Sequence, residues 1–302
     1  MTNLKILLGA FALLCSTLCL GQFIITTADG GSLVPGPGDA DGVALAGAWI
    51  LDGEIHFAIL VEDVVLPLTG VHIQQGAEGV NGSAVLNLSA YIDGDAFSGT
   101  AAIDPTLATD ILANPAGFYL VIRNDDFPAG AVRGQFQAQS TSPLSAVLLA
   151  ENEVPPLPPG PNGVSELQLG GFIIAHDDSA EALEIPPTGH HIHAGPAGVN
   201  GQAMVFFDSD AWSGDATAAS ARGIAIAEPQ LVLDILADPA AYYINVHTET
   251  FPAGAIRGQL GGEVTATSIA VPINASWALA LIILALASFG LISVRERRSR
   301  SY

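Results

Sequence analysis

The sequence predicts an all-β protein built from two tandem Greek-key β-sandwich domains. Its candidate strands are short, rich in Val, Ile, Phe and Tyr, and separated by Gly, Pro, Asp and Asn. A long segment also occurs twice, as DILANPAGFYLVIRNDDFPAGAVRGQF (110–136) and DILADPAAYYINVHTETFPAGAIRGQL (234–260). Upstream, HIQQGAEGVNG (72–82) is repeated as HIHAGPAGVNG (191–201). Two matches in the same order indicate a duplicated domain of about 120 residues.

Turn signals predict hairpins within each copy. The Asp52–Gly53 pair predicts a tight turn between two strands, because both residue types tolerate positive φ. Each FPAG segment predicts another hairpin, since proline presets a turn and glycine permits positive φ. The predicted strand pairs are Ala48–Ile50 with Ile55–Leu60, Phe118–Arg123 with Ala131–Phe136, and Tyr242–His247 with Ala255–Leu260.

One short helix is predicted in each copy, over Pro105–Ala113 and Glu228–Ala237. Each begins at or beside a proline, which is favoured at a helix start, and each ends before an Asn-Pro or Asp-Pro pair. The predicted domains are 22–140 and 141–266, joined by a polar linker near Ala138–Pro143.

The N-terminal segment 1–21 has the pattern of a secretory signal peptide. Lys5 precedes an apolar run from Ile6 to Leu20, and the small residue Gly21 follows. The run is short for a membrane anchor, so cleavage near Gly21 is predicted.

The C-terminal segment 267–302 predicts a transmembrane helix. Ala278–Val294 carries no charge and is just long enough to cross a bilayer. Trp277 suits the outer interface, and the four arginines of 295–300 are expected to stay cytoplasmic by the positive-inside rule. This helix would hold the chain at the membrane.

The same tail resembles the C-terminal sorting signals of Gram-negative bacteria, of the IPTL-CTERM/PEP-CTERM type. A Val-Pro entry is followed by Trp277 five residues after the proline, the apolar helix and the basic cluster, although Ile273 and Asn274 replace the usual Thr-Leu. The resemblance implies that a membrane-bound sorting enzyme recognises and removes the tail; the alternative is a plain single-span anchor. Either places the rest of the chain in the cell envelope, on the cell surface or outside the cell.

Composition narrows the classes of partner. Both cysteines lie in the predicted signal peptide, so the exported part has no disulfide and no cysteine metal site. Between the two terminal segments, four arginines face 29 acidic residues, and 4 − 29 gives a net charge of −25. Such a charge argues against nucleic acid as a partner. No acidic calcium loop of the D-x-D-x-D-G kind is present.

Four ordered motifs of the second copy resemble the CHRD domain, the repeat first recognised in chordin: AENEVPP (150–156), HHIHAGPAGVNG (190–201), YYINVHT (242–248) and FPAGAIRGQL (251–260). The resemblance implies a β-sandwich similar to superoxide dismutase or immunoglobulin folds, and no established reaction. The first copy is a degenerate member. It lacks EVPP and has Gln74 and Arg123 where the second copy has His193 and His247.

The histidines of the second copy predict a metal site. His191 and His193 are two residues apart, so on a strand their side chains share one face. If the strand that carries His247 is a neighbour, three imidazoles converge, a ligand set suited to zinc or copper. His190 is expected on the opposite face, and His176 elsewhere. The alternative is that these histidines hydrogen-bond loop carbonyls and fix the GPAGVNG loop.

The remaining polar candidates are expected to be structural. Arg133 and Arg257, present in both copies, are predicted to pair with local carboxylates or carbonyls. Asn81 and Asn200, each before a glycine, are predicted to supply positive φ in turns. The pairs Asp125–Asp126 and Asp177–Asp178 are predicted to be solvated loop charges.

The sequence contains no nucleophile elbow, P-loop, Rossmann glycine motif or H-E-x-x-H helix, and no catalytic residue is predicted. The leading functional hypothesis is therefore an exported, surface-associated, non-enzymatic binding or structural protein. Its expected ligand is an extracellular protein or polysaccharide. The alternative is a metal-binding enzyme of the superoxide dismutase type that uses the second domain alone.

Overall fold

Two nine-stranded antiparallel sheets, one for each copy of the repeat, make up residues 22–261, the part of the chain that the computed structural model describes. The first copy contains β1 (Gln22–Asp29), β2 (Val43–Leu51), β3 (Glu54–Glu62), β4 (Leu68–Gln75), β5 (Ala84–Asn87), β6 (Ala96–Ala102), α1 (Pro105–Ala113), β7 (Phe118–Asn124), β8 (Val132–Gln135) and β9 (Gln137–Gln139). The second contains β10 (Ser142–Leu149), β11 (Asn162–Gly170), β12 (Ile173–Glu181), β13 (Gly189–Ala194), β14 (Ala203–Phe206), β15 (Ser213–Asp215), β16 (Ala218–Ile226), α2 (Pro229–Ala237), β17 (Tyr242–His247) and β18 (Ile256–Gln259).

The two sheets have the same strand order. The first runs β5-β4-β7-β8-β1-β2-β3-β6, with β9 also on β1, and the second runs β14-β13-β17-β18-β10-β11-β12-β16-β15. Each sheet curls into a half-barrel, so that its two ends face each other across an apolar core. The all-β prediction is confirmed. The sandwich in each copy is one continuous sheet, because single residue pairs, Asp29 with Arg133 and Leu149 with Arg257, join its two halves.

The local signals gave correct elements. Asp52 and Gly53 have φ of 53° and 82°, as a tight hairpin between β2 and β3 requires. The Asp104 carboxylate caps α1 by accepting from the backbone N–H groups of Thr106 and Leu107. The helix α2 begins at Pro229, directly after Glu228. The predicted linker is mostly strand, since β9 and β10 leave only residues 140–141 between them.

The two copies contact each other through an apolar patch, here called the interdomain patch. Trp49 in β2 stacks on Phe23, with ring centroids 5.6 Å apart, and is 6% exposed. Across the contact, Ile173 is fully buried. The buried members are Phe23, Trp49, Ala58, Phe172, Ile173, Ala175 and Ile224. The copies are therefore joined by packing as well as by the chain.

The terminal predictions lie outside the described residues. This applies to the signal peptide of 1–21 and to the membrane helix of 278–294. Within 22–261, neither helix is long and apolar enough to cross a membrane.

His56, beside the interdomain patch, predicts an acid sensitivity of the fold. Its side chain is 3% exposed, and its Nδ1 lies 2.9 Å from the Thr100 hydroxyl. Burial, reinforced by the positive charge of Arg222, lowers the pKa of His56 to about 4. The unfolded chain protonates this imidazole near pH 6.5, so the folded state loses stability as pH falls from about 6.5 towards 4.

We expect His56→Gln, which keeps a polar side chain but cannot titrate, to lose less of its unfolding free energy over this range than the wild type. Urea unfolding of both proteins at pH 7 and pH 4.5 measures the difference. Other histidines contribute equally to both proteins and cancel. Equal losses in the two proteins would show that His56 is not responsible.

Candidate metal centre

The three predicted histidines lie on two neighbouring strands. His191 and His193 project from one face of β13, and His247 ends the adjacent strand β17. His247 pairs with Gly189 across the ladder. A Cβ at Gly189 would lie 2.7 Å from Cε1 of His191 and 3.4 Å from Cδ2 of His247, so only glycine leaves room for both rings. The structure thus brings all three residues together, and we call His191, His193 and His247 the histidine triad.

The rings of the triad face one another. Their centroids are 5.5 Å apart for His191 and His193, 5.1 Å for His191 and His247, and 5.8 Å for His193 and His247. Each ring offers one nitrogen, and these three nitrogens lie within 4.8 Å of one another. Two nitrogens bound to one zinc ion at about 2.0–2.1 Å would be about 3.4 Å apart, so small rotations of the rings close the site.

Backbone carbonyls hold two of the rings in place. Nδ1 of His193 lies 3.0 Å from the Gly201 carbonyl, and Nδ1 of His247 lies 3.2 Å from the Pro252 carbonyl. An Nδ1–H that donates to a carbonyl leaves the lone pair on Nε2, the usual arrangement of a metal-binding histidine. Both Nε2 atoms, and Nδ1 of His191, are buried without a partner among residues 22–261. The sequence also suggested that these histidines hydrogen-bond carbonyls of the GPAGVNG loop. His193 does so through Nδ1, and its Nε2 remains without a partner among the described residues.

The triad is neutral at ordinary pH. Burial, with the neighbouring His247 and His193, lowers the pKa of His191 to about 4. Burial also lowers the pKa values of His193 and His247. Neutral imidazole is the form that binds a metal ion, so no proton has to leave before an ion enters. All three side chains are half-buried, whereas the three unpaired nitrogens are themselves buried.

Arg257 fixes the loop beside the triad. Its guanidinium lies 3.4 Å from the centroid of the Tyr243 ring, which stacks on His193 at 4.9 Å. It also donates to the carbonyls of Pro196 and Val199. The prediction that this arginine bonds carbonyls is confirmed, but the carbonyls are not local, since they lie 61 and 58 residues away in sequence. Arg133 does the same in the first copy through Ala77 and Val80, 56 and 53 residues away.

Asn81 and Asn200 were predicted to supply positive φ, and this is wrong. Positive φ belongs to the glycine two residues earlier in each turn, Gly79 at 74° and Gly198 at 78°. The asparagines instead accept from the buried arginines through Oδ1 and donate to the Val34 or Val154 carbonyl. They connect the loop to the segment that precedes β2 or β11.

The first copy places a cation at the same position. Nη1 of Arg123 lies 2.7 Å from Nδ1 of His72. In the amide orientation that satisfies both ends of Gln74, its oxygen accepts from Arg123 at 2.8 Å and its nitrogen donates to Tyr119 at 2.6 Å. Arg123 corresponds to His247, and Gln74 to His193. The guanidinium therefore lies where the second copy leaves three nitrogens unpaired.

The other two histidines form a separate cluster. His190 is on the opposite face of β13 from the triad, as predicted, and is fully buried. His176 in β12 lies beside it, with ring centroids 5.2 Å apart. Asp177 and Asp178 are not loop charges, because both lie in β12. Asp177 pairs with Arg222 at 2.7 Å, whereas Asp178 is buried against His176.

Sequence reasoning overlooked this cluster because it compared the two copies at the triad positions and not at His176, Asp178 and His190. Adding 119 to a first-copy number gives its second-copy equivalent, as for His72 and His191. By this rule Phe57, Ile59 and Val71 become His176, Asp178 and His190. The replacement of three apolar residues by residues that can bind a metal ion was a signal of this cluster in the sequence alone.

These features define a class of protein: a tandem all-β chain with a three-histidine cluster in one of two otherwise similar domains. The CHRD domain model matches residues 25–136 and again 144–260. The chain belongs to the CHRD family, and the predicted tandem arrangement is confirmed. Two CHRD domains suggest a non-enzymatic binding protein of the extracellular or periplasmic space. A comparison with curated proteins gave no significant match.

Proposed function

We propose that this protein is an exported, surface-associated binding protein whose second CHRD domain holds a zinc or copper ion in the histidine triad. The observation that carries the proposal is the convergence of three neutral, unpaired nitrogens within 4.8 Å in the described chain. Leaving that many buried polar atoms unsatisfied is costly unless a ligand completes them. Zinc and copper are the ions that imidazole sets of this kind favour.

The first copy supports the choice of a cation. Where one strand position changes from histidine to Arg123, the guanidinium fills the space between His72 and Gln74. The two copies share the backbone, the glycine at Gly70 or Gly189, and the buried arginine of the loop. In the first copy, the guanidinium of Arg123 supplies a positive charge at this position. In the second copy, a bound metal ion is expected to supply it.

The exported location rests on the terminal sequences. A charged start, an apolar run and a small residue precede the first domain, and a proline, Trp277, an uncharged apolar segment and arginines follow the second. We place the two domains outside the cytoplasm of a Gram-negative bacterium. The tail would be the substrate of a membrane-bound sorting enzyme or a membrane anchor, and the domains would face an extracellular protein or polysaccharide.

A second candidate is a copper enzyme of the superoxide dismutase type. The partial exposure of the three histidines favours it, because a redox ion needs a position where a small molecule can approach. Loading the protein with copper and measuring superoxide consumption distinguishes the two functions. Binding without turnover supports the non-enzymatic function, whereas turnover that is lost with the triad supports the enzyme.

The triad is tested by giving the second copy the residues of the first. We expect EDTA-treated wild type to take up one rapidly exchanging zinc ion and to melt at a higher temperature with zinc. At free zinc 100 times the Kd, binding to the folded state alone stabilises by about 2.7 kcal/mol. The double variant His193→Gln/His247→Arg should bind no ion at this site and show no such shift. Calorimetric titration and thermal melts measure both effects.

His72→Gln is the matched control, because it alters the equivalent surface of the copy that carries Arg123. It should leave zinc uptake by the triad unchanged. A zinc-induced shift of the same size in the double variant would show that the ion binds elsewhere, for instance on the acidic surface.

A further inference from the structure

The core of the second copy contains a set of polar residues that the triad does not use. Ser165, His176, Asp178 and His190 are all at most 1% exposed. We call them the core quartet. His176 and Asp178 lie two apart on one face of β12, Ser165 pairs with Asp178 across the β11–β12 ladder, and His190 projects inward from β13.

Every member of the core quartet replaces an apolar residue of the first copy. The equivalent residues are Ala46, Phe57, Ile59 and Val71, all buried. The ladder register confirms the correspondence, since Ala46 pairs with Ile59 as Ser165 pairs with Asp178. The fold therefore closes its core at these positions without any polar group. The quartet is not required for folding and calls for another explanation.

Hydrogen bonding within the quartet is incomplete. Nδ1 of His176 lies 2.5 Å from Oδ2 of Asp178, a short bond between buried groups. Nε2 of His190 lies 3.7 Å from the same oxygen, too far for a hydrogen bond. In the described chain, neither nitrogen of His190 has a partner, and Oδ1 of Asp178 has none. A neutral imidazole has one N–H, so His190 buries at least one donor with no acceptor.

The charge of the quartet also needs a partner. Asp178 is 1% exposed, and its ion-pair partners within 4.0 Å are the buried imidazoles of His176 and His190. A carboxylate in a dry core is expensive unless a positive charge is close.

From this arrangement we infer that the core quartet is a second metal site, which holds one divalent ion of the zinc type between His176, Asp178 and His190. One nitrogen from each histidine and one carboxylate oxygen lie within 4.8 Å of one another. Two histidines and a carboxylate match the zinc ligand set. The 3.7 Å from His190 to Asp178 is close to the spacing of about 3.4 Å between two ligands of one zinc ion.

The ion takes the place of the proton on Nδ1 of His176, and the 2.5 Å contact opens as it enters. The imidazole then carries its proton on Nε2, so no charge is lost from the protein. Ser165, which pairs with Asp178 across the β11–β12 ladder, is placed to support the carboxylate from outside the ligand set.

A cavity at the contact between the two copies borders one edge of the His176 ring. This cavity of about 100 Å³ is bordered by His176 and Gly223, with the acidic residues Asp208 and Asp210 in its lining. A Cβ at Gly223 would lie 2.7 Å from Nε2 of His176, so the glycine keeps this edge of the ring clear. Because the core quartet is buried, we expect the ion to exchange slowly, in contrast to the ion of the half-exposed triad.

The test uses the full chain carrying His193→Gln/His247→Arg, so that its outcome does not depend on the triad. The protein is refolded from urea with zinc, dialysed against EDTA, and analysed for metal. We expect one retained zinc per chain, and cobalt in its place should give the visible absorption of a tetrahedral site. Asp178→Asn should reduce the retained metal at least tenfold. Asp177→Asn, on the other face of the same strand, should retain it.

A fourfold variant, Ser165→Ala/His176→Phe/Asp178→Ile/His190→Val, gives the second copy the core of the first. It should melt cooperatively at a temperature that zinc does not change. This variant tests whether the core quartet binds zinc even if Asp178→Asn fails to fold. No retained zinc in the triad-free chain, or equal retention after Asp178→Asn, would overturn the proposal and leave a buried His–Asp pair.

Discussion

Replacing Arg257 by methionine is expected to destabilise the protein by about 3–5 kcal/mol, because a buried cation with several acceptors is lost. The side chain is 1% exposed and donates to the carbonyls of Pro196 and Val199 and to Asn200. Methionine fills similar volume and satisfies none of them. Urea unfolding at constant pH gives the change in free energy.

Arg257→Lys should recover less than half of the loss, since an ammonium group cannot donate in the planar fork that the loop requires. The matched control is Arg222→Gln. Arg222 also makes ion pairs, with Asp177 and Asp52, but its side chain is 30% exposed. Removing it is expected to cost about 1 kcal/mol or less. Equal effects at Arg257 and Arg222 would contradict the role assigned to burial.

The Arg257 variant is also expected to weaken zinc binding at the triad. The loop held by this arginine ends at Gly201, whose carbonyl fixes Nδ1 of His193. Once the loop loosens, the ring loses its orientation and the affinity for the ion falls. The zinc titration described above measures this effect, and an unchanged affinity would separate the loop from the site.

Gly47→Val is expected to uncouple the two domains. A Cβ at Gly47 would lie 2.3 Å from Cγ2 of Ile173, which is fully buried in the other copy. At that distance the interdomain patch has to open, and overpacking of this kind costs about 1–3 kcal/mol. The wild type should unfold in one calorimetric transition, whereas the variant should show two.

Gly160→Val provides the control, because only one atom, the Pro158 carbonyl oxygen at 3.7 Å, lies near its added Cβ. It should unfold like the wild type. The sequence also predicts that 22–140 and 141–266 fold as separate fragments. With the patch exposed, each fragment should be less stable than in the full chain. A single transition in Gly47→Val would show that the patch does not couple the domains.

Much of the fold was predictable because its signals are local. The Asp52–Gly53 turn, the prolines that open both helices and the residues that surround FPAG act over a few positions, and each gave an element of the right type. The shared face of His191 and His193 follows in the same way from the period of a strand. The proximity of His247 depended on which strands are neighbours, and only the order of the motifs indicated it.

The failures have a common physical cause, which is contact between residues far apart in sequence. Asp177 and Asp178 look alike in a one-dimensional pattern, yet neighbouring strand residues point to opposite faces. One therefore meets Arg222 at the surface, and the other meets His176 and His190 inside. Likewise, Asn81 and Asn200 were assigned to the turn that contains them, although their bonds go to a distant arginine and a distant carbonyl.

Arg123 has a consequence for how the chain responds to its surroundings. A guanidinium is part of the polymer, so the first domain holds its cation at every concentration of dissolved metal, and no chelator can remove it. A domain that depends on a dissolved ion follows the chemical potential of that ion in the medium. On the proposed function, the duplication joins a domain of fixed composition to one whose metal content varies with the medium, and the first domain would serve as an internal reference for the second.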